Sequence, residues 1–229
     1  MTAGDTFQLA LERPDPDDRV VRDAIWSIWG DPRTWTHLPP ARPTDPSWAA
    51  NYLAEQARAW RRDGLGWWVV RFRSDDAEPP TSDATEIGNA TYVIGTDDVI
   101  GMSEVIGMSD VIGMSDVIGM GGAVLGGTTR PAWNLGYRLS PTVWGRGLGT
   151  VVAAAGLRAA RARRPDIPVT ARVLERNPAS WRVLDRIGLT CAWRGDAPAD
   201  DRLTSGLARR VYADRPLDAD LLAQLIALG

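Results

Sequence analysis

The turn Gly145-Arg146-Gly147-Leu148-Gly149-Thr150, followed one apparent strand later by Asn177-Pro178-Ala179-Ser180, is where this 229-residue chain concentrates residues that could do chemistry. A glycine-rich turn that opens a helix leaves several backbone N–H groups unpartnered and pointing one way, with the positive end of the helix dipole behind them. That makes an anion cradle suited to a pyrophosphate. Glycine in a tight strand-to-helix turn also has a purely steric reading, so the turn alone is not specific. The downstream signature has two readings as well. Asn177 is a good helix N-cap and Pro178 suits the first helical position, while the same polar groups are placed to serve a bound molecule.

These residues need a frame to position them. Trp133–Leu139 alternates as a half-buried strand that Ser140-Pro141 ends, and the Ala/Val/Leu/Arg helix after the turn runs to about Arg164. Thr6–Leu11 alternates as a first strand. Asp15–Trp29 predicts a helix with Asp15 as N-cap, Pro16 at the first position and an apolar face of Val20, Ala24, Ile25, Ile28 and Trp29. Pro46–Arg62 predicts a second helix closed by Asp63-Gly64, and Trp67–Arg73 a strand. Residues 74–86, rich in Asp, Pro, Ser and Thr, predict an exposed loop. The tail holds a strand around Leu207–Tyr212 and a short helix near Asp218–Leu228.

Composition narrows the class. With 44% hydrophobic residues the chain has ample core for one large or two small domains. The single cysteine, Cys191, excludes an internal disulfide and a cysteine cluster, so no metal is expected and a reducing, cytoplasmic compartment is the default. Its place in an apparent strand predicts a buried structural thiol. The net charge of −3 and the lack of a basic, aromatic-laced stripe argue against nucleic acid. No apolar run reaches a membrane span, and the segment beginning Met1 carries no signal-peptide pattern.

One segment repeats. Valines at positions 93, 99, 105, 111 and 117 open the units VIGTDD, VIGMSE, VIGMSD, VIGMSD and VIGMGG, a strict period of six. Residues 74–116, between the strand ending at Arg73 and the last unit, exceed the usual length of a connection. Tandem duplication of a strand's start into a surface insertion accounts for this, and the run is too short to bury a core as a three-sided β-helix. Because six is even, a slip by one unit keeps every side chain on its face, so register along the insertion is weakly specified.

The strand Leu135-Gly136-Tyr137-Arg138-Leu139 with Ser140-Pro141, then Trp144-Gly145-Arg146-Gly147-Leu148-Gly149, then Asn177, Ser180, Leu184, Gly188 and Leu189, with Arg210–Leu217 as a closing strand, resembles the GNAT superfamily of acetyl-CoA-dependent N-acetyltransferases. Within it the pattern is similar to the RimJ/RimL-like branch. A dinucleotide-binding reading fits poorly, because the turn lacks the GxGxxG spacing and no ribose-binding acid follows at the right distance. The resemblance implies an α+β GNAT fold over residues 1–229. A single mixed, mostly antiparallel central sheet is flanked by helices, with the hexapeptide-repeat insertion before the third core strand. It implies acetyl-CoA as cosubstrate and direct attack in a ternary complex by a primary amine, either a protein N-terminus or a small molecule.

The same resemblance assigns Leu139, Trp144, Gly145, Arg146, Gly147, Leu148, Gly149, Thr150 and Asn177 to the cosubstrate. Leu139 ends a splayed strand that pairs with the pantetheine arm. Ser180 becomes the candidate proton donor to the departing thiolate, with Asn177 beside it. Where many relatives carry an acid before the glycine turn, this chain has Asn134, which cannot accept a proton. Glu175 is the second choice of base, Tyr137 is assigned to packing, and His37 to a solvent or structural role. An amine deprotonated through water needs no dedicated base. The two early helices form a wall of the acceptor groove, with Trp26, Trp29, Trp35 and Trp48 mainly core. Two other readings stand beside this one: a CoA-binding protein without catalysis, and an interaction protein acting through the repeat. A homodimer stays open.

Overall fold

The computed structural model describes residues 7–73, 90–94 and 117–228. Strands β1 Phe7–Glu12, β2 Trp67–Arg73, β3 Ala90–Ile94, β4 Val117–Leu125, β5 Trp133–Leu139, β6 Val169–Leu174, β7 Thr190–Asp196 and β8 Ala208–Ala213 alternate with helices α1 Arg19–Trp29, α2 Ser47–Asp63, α3 Leu148–Arg163, α4 Pro178–Arg186 and α5 Ala219–Ala227. The strands form one mixed sheet in the order β3-β1-β2-β4-β5-β6-β8-β7. Only the central neighbours β5 and β6 run parallel; the other neighbours are antiparallel.

That parallel pair shapes the molecule. Trp133 faces Val169 and Asn134 faces Thr170, fastened by the Trp133 N–H on the Pro168 carbonyl at 2.9 Å and the Thr170 hydroxyl on the Trp133 carbonyl at 2.8 Å. No pairing continues beyond Asn134, although β5 stays bonded to β4 as far as Leu139 and β6 to β8 as far as Leu174. The two halves of the sheet therefore diverge, and the inner edge of β5 opens after its second residue.

Each face of the sheet has its own core. Helix α3 lies over β4 and β5 with Leu135, Val152, Leu157 and Tyr212 in one apolar cluster. On the other face α1 and α2 pack Val21, Ile25, Trp29 and Leu53 against Val69 and Met120. Helix α1 begins later than expected. Asp18 is its N-cap, accepting from the Val21 N–H at 3.0 Å, while Asp15 closes the preceding turn by accepting from the Asp17 N–H at 2.9 Å. Val21, not Val20, stands at i, i+3, i+4, i+7 spacing with Ala24, Ile25 and Ile28 on the buried stripe, and Val20 is 61% exposed. Helix α2 ends as expected at Gly64, whose left-handed φ of 69° lets its N–H reach the Trp60 carbonyl.

Two expectations fail at the sheet edges. Cys191 is exposed, not buried, because β7 is the outermost strand and its first residues have no covering layer. Within the span expected to be loop and repeat, Ala90–Ile94 forms strand β3 against β1, with Phe7 opposite Ile94 and Leu11 opposite Ala90. Its Val93-Ile94 opens the first repeat unit, and the last unit begins β4 at Val117. The units between them, and residues 74–89 with the loop expected over 74–86, lie outside the described residues. None of the described helices is long and apolar enough to cross a membrane.

Candidate active site

Where β5 and β6 part, a cavity of about 420 Å³ opens, lined by Tyr137, Arg138 and Leu139 of β5, the turn before α3, the start of α4 and the segment after α1. Its floor at one end is the glycine turn. Gly145 and Gly147 adopt left-handed φ of 78° and 75°, which turns successive N–H groups the same way. Gly147 is the N-cap of α3 and no side chain caps it. Among the described residues the N–H groups of Arg146, Gly147, Leu148 and Gly149 have no partner; the first bonded ones are those of Thr150 and Val151, both to the Gly147 carbonyl. The Arg146 guanidinium adds a buried Nη1 with no partner either. A cluster of unsatisfied donors at a helix start fits a pyrophosphate, so the residues present suit the cosubstrate that the sequence implied.

The other candidates fall around this cradle. Leu148, Gly149 and Thr150 line the cavity with Leu139, Trp144, Asn177 and Ser180; Arg146 is not among the lining residues. The Trp144 indole is 51% exposed and donates to the Leu139 carbonyl at 2.9 Å, which fixes the mouth of the open strand edge. Asn177 caps α4, its Oδ1 accepting from the Ser180 N–H at 3.3 Å. The capping reading and the site reading therefore coexist, since this bond sets where Ser180 stands. Arg186 of α4 reaches the Thr150 hydroxyl at 3.4 Å, joining the α4 wall to the start of α3.

Several groups stand elsewhere than expected. Glu175 is held by Arg210 at 2.6 Å and Arg194 at 3.1 Å, and the Arg210 guanidinium holds its carboxyl below the usual range. It does not line the cavity, and its ion pairs make it a weaker proton acceptor. Asn134 does not line the cavity either; its Oδ1 is buried without a partner. Tyr137 does more than pack. Burial pushes its phenol up, and a hydrogen bond with the Ser180 side chain works against that shift. His37 also lines the cavity, its imidazole lowered to about 4 by burial and by the charges of Arg138 and Arg176. Among the described residues that line the cavity, none is a carboxylate. The tryptophans Trp26, Trp29, Trp35 and Trp48 stay in or against the α1–α2 core, with Trp29 stacked on Trp48 at 5.7 Å between ring centroids.

Arg138 and Tyr137 were the residues that the pattern understated. A charged residue next to an aromatic on the strand bordering the turn was the available signal, and alternation along β5 places the two on opposite faces.

A splayed parallel pair beside an uncapped helix start is the frame of an acyl-transfer domain that takes its acyl carrier by the phosphates. The chain matches the family model described as an acetyltransferase (GNAT) domain over residues 8–190, and it belongs to that family. No curated protein matches it. Solved structures share the fold at low identity. An acetyltransferase from Agrobacterium tumefaciens is 19% identical with a TM-score of 0.55, covering 91% of each chain. YncA of Salmonella typhimurium, a putative acetyltransferase seen with acetyl-CoA, is 15% identical with a TM-score of 0.55, over 92% of this chain and 96% of that one. RimL, the ribosomal L7/L12 α-N-protein acetyltransferase in complex with coenzyme A, is 16% identical with a TM-score of 0.56, over 93% and 96%.

Proposed function

We propose that this protein is an acetyl-CoA-dependent N-acetyltransferase of RimJ/RimL-like plan, acting on a primary amine of a protein N-terminus or a small molecule. The observation that carries the reading is the unpartnered N–H cluster at Arg146–Gly149 opening onto the cavity between the diverging strands. When bound, acetyl-CoA supplies an acetyl thioester as electrophile, so that a C–N bond forms as the C–S bond breaks and the sulfur leaves as a thiol after gaining a proton. The chain's own residues supply the surroundings. The Gly145–Thr150 turn holds phosphate oxygens, and the inner edge of β5 beyond Asn134 offers backbone groups to an extended arm. Ser180, oriented by Asn177 and in contact with the Tyr137 hydroxyl, donates the proton to sulfur. Among the described residues no carboxylate lines the cavity, and in this reading the amine loses its proton through water. Thiol release measured against peptides, polyamines, aminoglycosides and amino acids tests the reading; CoA binding without turnover on any of them would favour a binding protein instead.

Ser180→Ala is expected to lower kcat by roughly ten- to a thousand-fold, at or below the usual worth of a positioned acid, with little change in KM for acetyl-CoA. A raised KM alone, or a lower Tm with unchanged kinetics, would assign Ser180 to binding or to helix support.

The hexapeptide repeat is, in this reading, a tolerated duplication. Ile94 beside Phe7 and Val117 beside Arg71, which is level with Ala10, lie at the same end of the sheet, three strand spacings across and three residues along, or about 17 Å apart. Removing Val99–Asp116 leaves Gly95-Thr96-Asp97-Asp98 to bridge them, a reach of roughly 17 Å when extended. The shortened protein is expected to fold and keep most of its activity, with β3 the first element to fray. Loss of solubility, or a change of mass in solution, would make the repeat an interface.

A further inference from the structure

Arg138 is a cation in the cavity without a carboxylate partner among the described residues. Its neighbours Leu135 and Leu139 on β5 pack in the core beneath α3, whereas Arg138 points to the opposite face, toward α1. There its Cζ lies 3.6 Å from the Trp35 ring centroid and 5.7 Å from that of Trp29, and Nη1 donates to the Thr34 carbonyl. Those contacts hold the plane of the guanidinium and use few of its five N–H donors. Arg33, Arg161, Arg164, Arg210 and Arg215 each pair with a carboxylate, yet among the described residues none pairs with Arg138. Burial lowers it to about 10, the direction expected for a guanidinium short of water and of an anion.

The surroundings carry the same sign. Arg176 donates through Nε to the His37 carbonyl at 2.5 Å and likewise has no carboxylate partner among the described residues. This end of the cavity, lined by Thr34, Thr36 and His37, is therefore positive, half-enclosed and separate from the glycine turn, which sits on the α3 side of the sheet. A guanidinium stacked on an indole with its outer edge free is a preorganised bidentate receptor for a planar anion. Resting on the acetyltransferase reading, we propose that Arg138 selects the acceptor and that the acceptor is a small amine that also carries a carboxylate. The carboxylate docks on the Arg138 edge while its amine reaches back toward the gap between β5 and β6.

Matched acceptors test this. Thiol release from acetyl-CoA is compared for L-alanine, β-alanine and L-glutamate against L-alaninamide and propylamine. The carboxylated amines are expected to show kcat/KM at least about tenfold higher, as a charge-assisted bond to carboxylate implies. Arg138→Gln should erase that ratio through KM, and Arg138→Lys should restore part of it. A second readout needs no turnover. His37 is the sole histidine, so its imidazole gives one resolvable NMR titration. Burial is the larger cause of its low midpoint and both ligands add to it, so the comparison is between them: the midpoint should stand higher with L-alanine bound than with L-alaninamide, because only a carboxylate on Arg138 offsets that residue's charge. Turnover of amines without preference for the carboxylate would overturn the proposal and leave the acetyltransferase reading intact. Equal His37 midpoints with L-alanine and L-alaninamide at saturation would overturn it whether or not any acceptor is acetylated.

Discussion

Gly147→Asp is expected to weaken CoA binding on the order of a thousandfold while leaving the fold in place. Gly147 caps α3 with a φ of 75° and no side chain at the helix start. The N–H groups of Leu148 and Gly149 are unpartnered among the described residues. A carboxylate introduced there would put a negative charge at the helix start, where the phosphate oxygens belong. Two like charges about 4 Å apart near a protein surface repel by about 4 kcal/mol at an effective dielectric of about 20, which corresponds to roughly three decades of affinity. The left-handed φ costs an L-residue on the order of 1 kcal/mol, so Tm should move only a few degrees. Gly147→Asn is the matched control, tolerant of left-handed φ and uncharged. Calorimetry with CoA should place it between wild type and Gly147→Asp. Equal dissociation constants for all three, with folded proteins, would remove the cradle from this turn.

The frame of the site was legible because its signals are local. Alternation over Trp133–Leu139, the glycine turn and the N-cap at Asn177 are all properties of short segments, and the structure realises each of them. What escaped depends on contacts made across the fold. Glu175 looked available beside the gap until Arg194 of β7 and Arg210 of β8 closed on it. Cys191 looked buried because strands usually are, but sheet order is not written in a strand's own residues, and β7 takes the outer edge. Strand β3 was hidden inside a span whose composition and repeat suggested an insertion. Arg138 gained its meaning only when Trp35 and Thr34 folded against it from the far side of α1.

Replacing Gly121-Gly122 by Ser-Asp, which makes the last repeat unit identical to its neighbours, is expected to abolish the native fold or lower Tm by tens of degrees. The pair lies where α3 crosses the sheet. A Cβ on Gly121 would stand 2.4 Å from Val152 Cγ1 and 2.7 Å from Tyr137 Cβ. Val152 is fully buried and has no room to withdraw. Gly122 adopts a φ of 150°, and its Cβ would stand 2.6 Å from the Gly66 carbonyl oxygen of the chain entering β2. The helix approaches closest here, since a Cβ on Gly156 of α3 would come within 3.2 Å of the Gly122 backbone. Overpacking at Gly121 costs about 1–3 kcal/mol, the backbone at Gly122 a similar amount, and an unpaired buried carboxylate several more. Their sum approaches the roughly 5–15 kcal/mol that a domain of this kind holds in total. The same numbers explain why a period-six repeat does not scramble the sheet. Every unit opens Val-Ile-Gly, so a slip by one unit is invisible to the first half of β4, but only the last unit can pass beneath α3. Register, which the period alone leaves weakly specified, is pinned by two missing side chains. Thermal unfolding followed by circular dichroism, on Gly121→Ser, Gly122→Asp and the double variant, checks the claim. Wild-type melting of the double variant would mean that α3 can lift off the strand and that something else holds the register.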